Sequence, residues 1–305
     1  MQFSYSNSWA LDMALFSGSL VAMVTPFRNG KLDEDALRQL THWHIEQGTD
    51  GLVPVGTTGE SPALSSVEHK RIIEIVVTEA AGRVPVVAGA GSNNPIEAIE
   101  YSLHAEEVGA DGLLHVAGYY NRPKQPGLYA HFKMVHDACN LPIILYNIPP
   151  RAIVDIEVET MAKLAELPRI IGVKDATCDL SRPLLERMHI KSEFTWLSGE
   201  DATAVAYNVG GGNGCISVTA NVAPALCSQM QKACTEGDFV KALAIQDDLM
   251  ALHATLFTEP SPAGAKYAVS RLGLCGEDCR VPVMPLSAKA KKSIDTAMDS
   301  LGLLS

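Results

Sequence analysis

Ile170-Ile-Gly-Val-Lys-Asp-Ala-Thr177 is a short apolar, β-branched run with a lysine set near its end. It is too short for a helix and lacks the alternation of a strand with one wet face. It therefore reads as a strand buried on both faces, as in a parallel sheet. Desolvation of a lysine there disfavours the ammonium form, and a neutral amine in a closed site attacks carbonyls and forms Schiff bases. The alternative is a strand-end lysine that is solvated or paired with Asp175. This segment alone does not choose between the two.

Seven further runs of the same kind lie along the chain: Leu20–Pro26, Gly51–Gly56, Val84–Gly89, Gly112–Ala117, Pro142–Asn147, Phe194–Ser198 and Gly214–Thr219. Helical patterns fill the gaps. Asp33–Gln47 carries Leu37, Leu40 and Ile45 at helical spacing behind an acidic start. Ser66–Ala81 carries Ile72, Ile73, Val76 and Val77, and Asn94–Val108 opens with a cap, a proline and a glutamate. Further helices are expected over 125–138, 157–166, 181–190, 200–208 and 222–235. Eight strands alternating with eight helices, at about 25–30 residues per repeat, predict a (β/α)8 TIM barrel.

Beyond the barrel, 238–256, 262–272 and 286–302 read as three more helices, with Pro260, Pro262, Pro282 and Pro285 at their joints. The expected organisation is an N-terminal appendage (1–16), a catalytic barrel (17–236) and a C-terminal three-helix region (237–305). Met13 is a plausible alternative start, because the ordered pattern begins near Ser17.

Of the 305 residues, 47% are hydrophobic and 19% charged, a soluble globular balance. A net charge of -11 argues against nucleic acid and anionic membranes as partners. No apolar run approaches the roughly 18 residues of a membrane span, and the N-terminus lacks the features of a signal peptide. Seven scattered cysteines suit reduced thiols in a cytoplasm. Cys275 and Cys279 have no second pair to complete a zinc site, and His42 and His44 have no third ligand near them, so no metal is expected. Gly210-Gly-Gly-Asn-Gly214 precedes a strand instead of opening a helix, and fails the context test for a phosphate loop.

In such barrels chemistry sits at the C-terminal strand ends. Strand 2 ends in Gly56-Thr-Thr-Gly-Glu-Ser61, where glycines allow a sharp turn whose N–H groups and hydroxyls suit a carboxylate. Strand 5 ends in Tyr146-Asn-Ile-Pro-Pro-Arg151, and strand 6 carries Lys174. Phenol and amine at neighbouring strand ends can move protons during imine formation. Arg151 can hold a carboxylate bidentately, which lysine cannot do.

In this order, Gly56-Thr-Thr-Gly-Glu-Ser61, Tyr119-Tyr-Asn-Arg-Pro123, Gly127-Leu-Tyr-x-His-Phe132, Tyr146-Asn-x-Pro-x-Arg151, Gly172-Val-Lys-x-Ala-Thr177 and Ile216-Ser-Val-Thr-Ala-Asn221 resemble the dihydrodipicolinate synthase family from about Gly18 to Leu304. The resemblance implies a cofactor-free, pyruvate-dependent lyase of lysine biosynthesis. In it Lys174 forms an imine with pyruvate, and the derived enamine adds to L-aspartate 4-semialdehyde. Tyr146, Thr57 and Tyr120 would relay protons, with Tyr120 reaching into a neighbouring subunit of a homotetramer. Thr58 would hold the pyruvate carboxylate, Arg151 the semialdehyde carboxylate, and Gly199 and Ile216 would line the pocket.

Ser61, His69, Asn93, Glu97 and Tyr119 match a site for inhibition by L-lysine, whereas Pro62 and Ser66 depart from its enterobacterial pattern. Two further departures are Ala117-Gly118, where the family usually has Thr-Pro, and Ala152, where it often has threonine. The runner-up reading is another pyruvate-imine aldolase, such as N-acetylneuraminate lyase. The Thr57-Thr58 pair, Arg151 and the Tyr119-Tyr120 pair favour the synthase.

Overall fold

A computed structural model describes residues 15–304. Its eight main strands are β1 (Gly18–Ala22), β2 (Gly51–Val53), β3 (Val87–Gly89), β4 (Gly112–Val116), β5 (Ile143–Asn147), β6 (Ile170–Asp175), β7 (Thr195–Ser198) and β8 (Gly214–Ser217). All pair in parallel in the order β2-β1-β8-β7-β6-β5-β4-β3. A parallel bridge from Leu52 to Val86 joins the two ends, so the sheet closes into the expected barrel.

Eight helices follow these strands in turn: α1 (Glu34–Glu46), α2 (Ser66–Ala80), α3 (Pro95–Glu107), α4 (Gln125–Ala138), α5 (Val158–Leu164), α6 (Arg182–His189), α7 (Ala204–Val209) and α8 (Pro224–Thr235). Then come α9 (Phe239–Thr255), α10 (Ala263–Arg271) and α11 (Ala288–Ser300). Their starts are set by local chemistry. Asp33 accepts the N–H of Ala36 at the head of α1, and Ser65 and Glu68 form a reciprocal capping box on α2. Asn94 caps α3 with Pro95 at its first position.

The elements depart from expectation most in four places. The first strand, expected over Leu20–Pro26, spans Gly18–Ala22. The second and third strands are shorter than their apolar runs, because Pro54 and Pro85 have no N–H to give a ladder. Phe27–Arg28 and Lys31–Leu32 form a small antiparallel hairpin, turned by Asn29 (φ +53°) and Gly30 (φ +76°). Pro149–Ala152 makes a single helical turn after β5.

Phe16, Leu20, Ala22, Val53, Val87, Leu114, Ile144, Tyr146, Ile171, Leu197 and Ile216 fill the barrel interior. Phe16 falls within the stretch set apart as an N-terminal appendage, yet it is fully buried in that interior, with its ring against Gly112. The rest of that stretch, Met13 included, lies outside the described residues apart from Leu15. A second apolar core runs between strands and helices and continues into Ala242, Leu249, Leu252, Ile294 and Met298, so the C-terminal helices share it with the barrel.

Candidate active site

β6 is buried along its whole length, which accounts for its unbroken apolar run. The β5–β6 register slips by one residue between Ile143 and Ile144. Such an irregularity re-aims the side chains beyond it. After the slip Tyr146 stands directly beside Lys174. The Lys174 Nζ lies 4.3 Å from the centre of the Tyr146 ring, and Lys174 is only 6% exposed.

Asp175 does not serve as its counter-ion. Its Oδ1 accepts the N–H of Thr177 at 2.9 Å, and burial raises its carboxyl above the usual range. Among the described residues no carboxylate lies within ion-pair distance of Lys174. Burial likewise raises the carboxyl of Glu200, while the charge of Lys174 pulls it the other way.

Gly199 follows β7, its N–H bonded to the Asp175 carbonyl at 2.6 Å. A Cβ there would lie 2.8 Å from the Ala176 Cβ and 3.2 Å from the Lys174 Cε, so a side chain at this position would crowd the lysine. Ile216 is buried on β8.

The turn after β2 sits beside this group. The N–H groups of Gly59, Glu60 and Ser61 bond back to the carbonyls of Gly56, Thr57 and Gly56. Those of Thr57 and Thr58 keep no acceptor among the described residues, which leaves two adjacent donors for an anion. Thr57 and Tyr146 line one small cavity with Gly56, Gly89 and Val116. Thr58 is buried.

Two expected residues stand apart. Tyr120 is 89% exposed, with left-handed backbone at φ +66°. Arg151 is exposed on the Pro149–Ala152 turn. Beneath that turn Asn147 donates to Asp155 at 2.7 Å, and Arg182 grips Asp155 through two nitrogens at 2.9 Å each. Arg182 also bonds Glu186, which takes the Trp196 indole N–H at 2.9 Å. Burial raises Glu186 to about 7. Sequence reading missed this network, whose members are spread from Asn147 to Trp196 with no motif of their own.

Ser61, His69, Glu97 and Tyr119 line a cavity of about 190 Å³ together with Tyr101 and Leu64. Tyr101 is a further addition: its ring stacks on His69 at 3.8 Å, and its hydroxyl reaches Glu97 at 3.4 Å. Ser92, also missed, donates to Glu97 at 2.5 Å. Burial lowers His69 to about 4, which keeps it neutral. Asn93 is tied instead to Asn121, whose side-chain amide donates to its carbonyl at 3.0 Å. A larger cavity of about 530 Å³ lies around Pro168 and His189, away from these groups.

His42 meets Glu79 at 2.7 Å, His44 is buried in the core, and Cys275 and Cys279 are free thiols.

A buried lysine and a tyrosine at the C-terminal mouth of a (β/α)8 barrel, beside a turn with two spare N–H donors, define a (β/α)8-barrel protein with its candidate active site at the strand ends. The dihydrodipicolinate synthetase family profile matches residues 15–301, and the chain belongs to that family. A 4-hydroxy-tetrahydrodipicolinate synthase from Parvibaculum lavamentivorans is 59% identical over 290 residues, spanning 95% of this chain and all of that one. The chloride-inhibited dihydrodipicolinate synthase from Acinetobacter baumannii, solved in complex with pyruvate, superposes with a TM-score of 0.92 at 40% identity, covering 94% of this chain and 99% of that one. DHDPS from Cyanidioschyzon merolae, solved with lysine bound, superposes with a TM-score of 0.92 at 35% identity, covering 95% and 99%.

Proposed function

We propose that this enzyme condenses pyruvate with L-aspartate 4-semialdehyde as a 4-hydroxy-tetrahydrodipicolinate synthase, through an imine on Lys174. The observation that carries the reading is a buried lysine without a carboxylate partner, held against Tyr146 and crossing Gly199.

The lysine amine adds to the pyruvate ketone, and loss of water gives the imine. Loss of a methyl proton gives the enamine, whose carbon attacks the aldehyde of the second substrate. The amine of that substrate then displaces Lys174 and closes the ring. Net, the two substrates give the cyclic product and one water. Thr57 and Thr58 offer hydroxyls and free N–H groups to the pyruvate carboxylate. Tyr146 and Thr57, sharing one cavity, are placed to pass protons to and from the reacting oxygen. Arg151 takes the carboxylate of the semialdehyde.

Tyr120 completes the relay from a neighbouring copy, within a homotetramer. Its side chain points into solvent in the single chain, on backbone that is uncommon outside glycine, as suits a residue held for a partner. The cavity of Ser61, His69, Glu97 and Tyr119, with Asn93 at its edge, takes L-lysine as an inhibitor. Glu97 suits an ammonium group. Seven free cysteines suit the cytoplasm. No helix among the described residues is long and apolar enough to cross a membrane.

Borohydride reduction in the presence of pyruvate, followed by peptide mass spectrometry, tests the imine. A pyruvyl adduct on Lys174 is expected. An adduct elsewhere, or none on folded enzyme, overturns the reading. A panel of aldehydes then separates the synthase from a sugar-acid aldolase.

A further inference from the structure

The turn that carries Thr57 and Thr58 ends on Glu60, a non-glycine residue held at φ +58°, and Val55 before it lies at φ +52°. Backbone of this kind persists only where its surroundings hold it. The hold comes from the far end of the chain. Glu60 Oε1 accepts from Lys266 Nζ at 2.8 Å, and Oε2 accepts the backbone N–H of Arg280 at 2.8 Å. The side chains of this ion pair are 3% and 0% exposed. Lys266 Nζ also lies 4.1 Å from the centre of the Phe27 ring, and the Arg280 guanidinium carbon lies 4.3 Å from it. Thr25 Oγ1 holds the Gly59 carbonyl at 2.7 Å.

A buried ion pair is a weak device for stability, because desolvation offsets its attraction and apolar residues of similar volume often do as well. What it supplies is direction. Two oxygens of one carboxylate, each fixed by a charged or backbone donor, set where Glu60 lies, and the preceding turn is tied to it by the Glu60 N–H bond to the Thr57 carbonyl at 3.0 Å.

We propose that Glu60 and Lys266 are positioning residues for pyruvate: Lys266 on α10 fixes the turn after β2 so that the Thr57 and Thr58 donors converge on the substrate carboxylate. This rests on the reading that Thr57 and Thr58 meet pyruvate. It gives the C-terminal helices a part in substrate affinity.

The test uses the full-length chain with the pair replaced by apolar residues, Glu60→Leu with Lys266→Met, and separately Lys266→Arg. The readouts are thermal midpoint, oligomeric state, kcat, KM for each substrate, and the pyruvate concentration that half-saturates borohydride trapping on Lys174. The double variant is expected to fold and assemble as the parent does. Its pyruvate KM and trapping midpoint should rise by about tenfold or more, with the aldehyde KM within about twofold, since small displacements of a positioned group cost large factors. Lys266→Arg, which keeps the charge, should recover part of the loss. A folded double variant with the parent's trapping midpoint overturns the proposal. So does a double variant that cannot fold, which would make the pair a folding element. Failure of the parent enzyme to trap pyruvate on Lys174 would instead overturn the underlying reading.

Discussion

Two halves of the barrel mouth differ in how completely one chain builds them. Lys174, Tyr146 and Thr58 are buried, each on or just after a strand whose neighbours fix it. Tyr120 and Arg151 are exposed on loops, and Tyr120 sits on left-handed backbone. The strand-borne half is fixed within one chain, as the proposed imine on Lys174 requires. The loop-borne half, Tyr120 and Arg151, stays exposed in the single chain.

The sharpest break in that comparison is at Lys174. Lys174→Ala should reduce turnover to background and abolish borohydride trapping of pyruvate while leaving the fold intact. A variant that still turned over would remove the buried half from the chemistry altogether.

The next effect distinguishes the halves by where they act. Tyr120→Phe should lower kcat by roughly 10²-fold, within the range of a lost general acid–base group. If Tyr120 serves a neighbour, mixing its chains with inactive Lys174→Ala chains should restore activity, because each mixed pair holds one complete site. A random mixture should reach about a quarter of the parent rate per chain for a two-fold symmetric pair. Tyr146→Phe mixed with Lys174→Ala should restore none, since both groups come from one chain. Equal recovery in the two mixtures, or none in either, would erase the distinction.

Arg151→Lys separates the two substrates. The KM for the aldehyde should rise by about tenfold, through loss of a bidentate grip, and the pyruvate KM should stay put. The adjoining cavity gives a smaller effect. Glu97→Gln should weaken inhibition by L-lysine without changing uninhibited turnover, and calorimetry with L-lysine reads it directly. Parent enzyme that neither binds nor responds to saturating L-lysine would end that assignment.

The strands were legible because parallel strands buried on both faces leave unbroken β-branched runs, and Ile170–Asp175 is one of them. Their ends were not, because Pro54 and Pro85 stop the ladder while the apolar pattern continues. The Phe27–Leu32 hairpin escaped notice although Asn29-Gly30 is its turn signal; two-residue strands have no room for a period. Lys174 was readable as out of place, but its facing of Tyr146 depends on a register slip that composition does not carry. The tie from Glu60 to Lys266 joins residues 206 apart, beyond the reach of any local pattern. Tyr120 was recognised by motif, yet its exposure is a property of the folded single chain.

The smallest expected effect lies beneath the mouth, where burial governs stability. His44 on α1 is fully buried with both ring nitrogens unpartnered, and burial lowers it from 6.5 to about 3. His115, which shares a hydrogen bond with Ser102 at 3.0 Å, is lowered from 6.5 to about 3 by the same cause. Each is neutral when folded and takes a proton near 6.5 when unfolded. The unfolded chain therefore binds more protons below that pH, and the folded state loses stability as pH falls toward 3. Each histidine contributes a loss of about 1.4 kcal/mol per pH unit over that window. His44→Leu removes one such share. Its urea unfolding midpoint should fall less than the parent's between pH 7.5 and 5, by an amount equivalent to about 2 kcal/mol. Parallel losses in the two proteins would mean that His44 titrates alike in both states, and that the packing around α1 admits water.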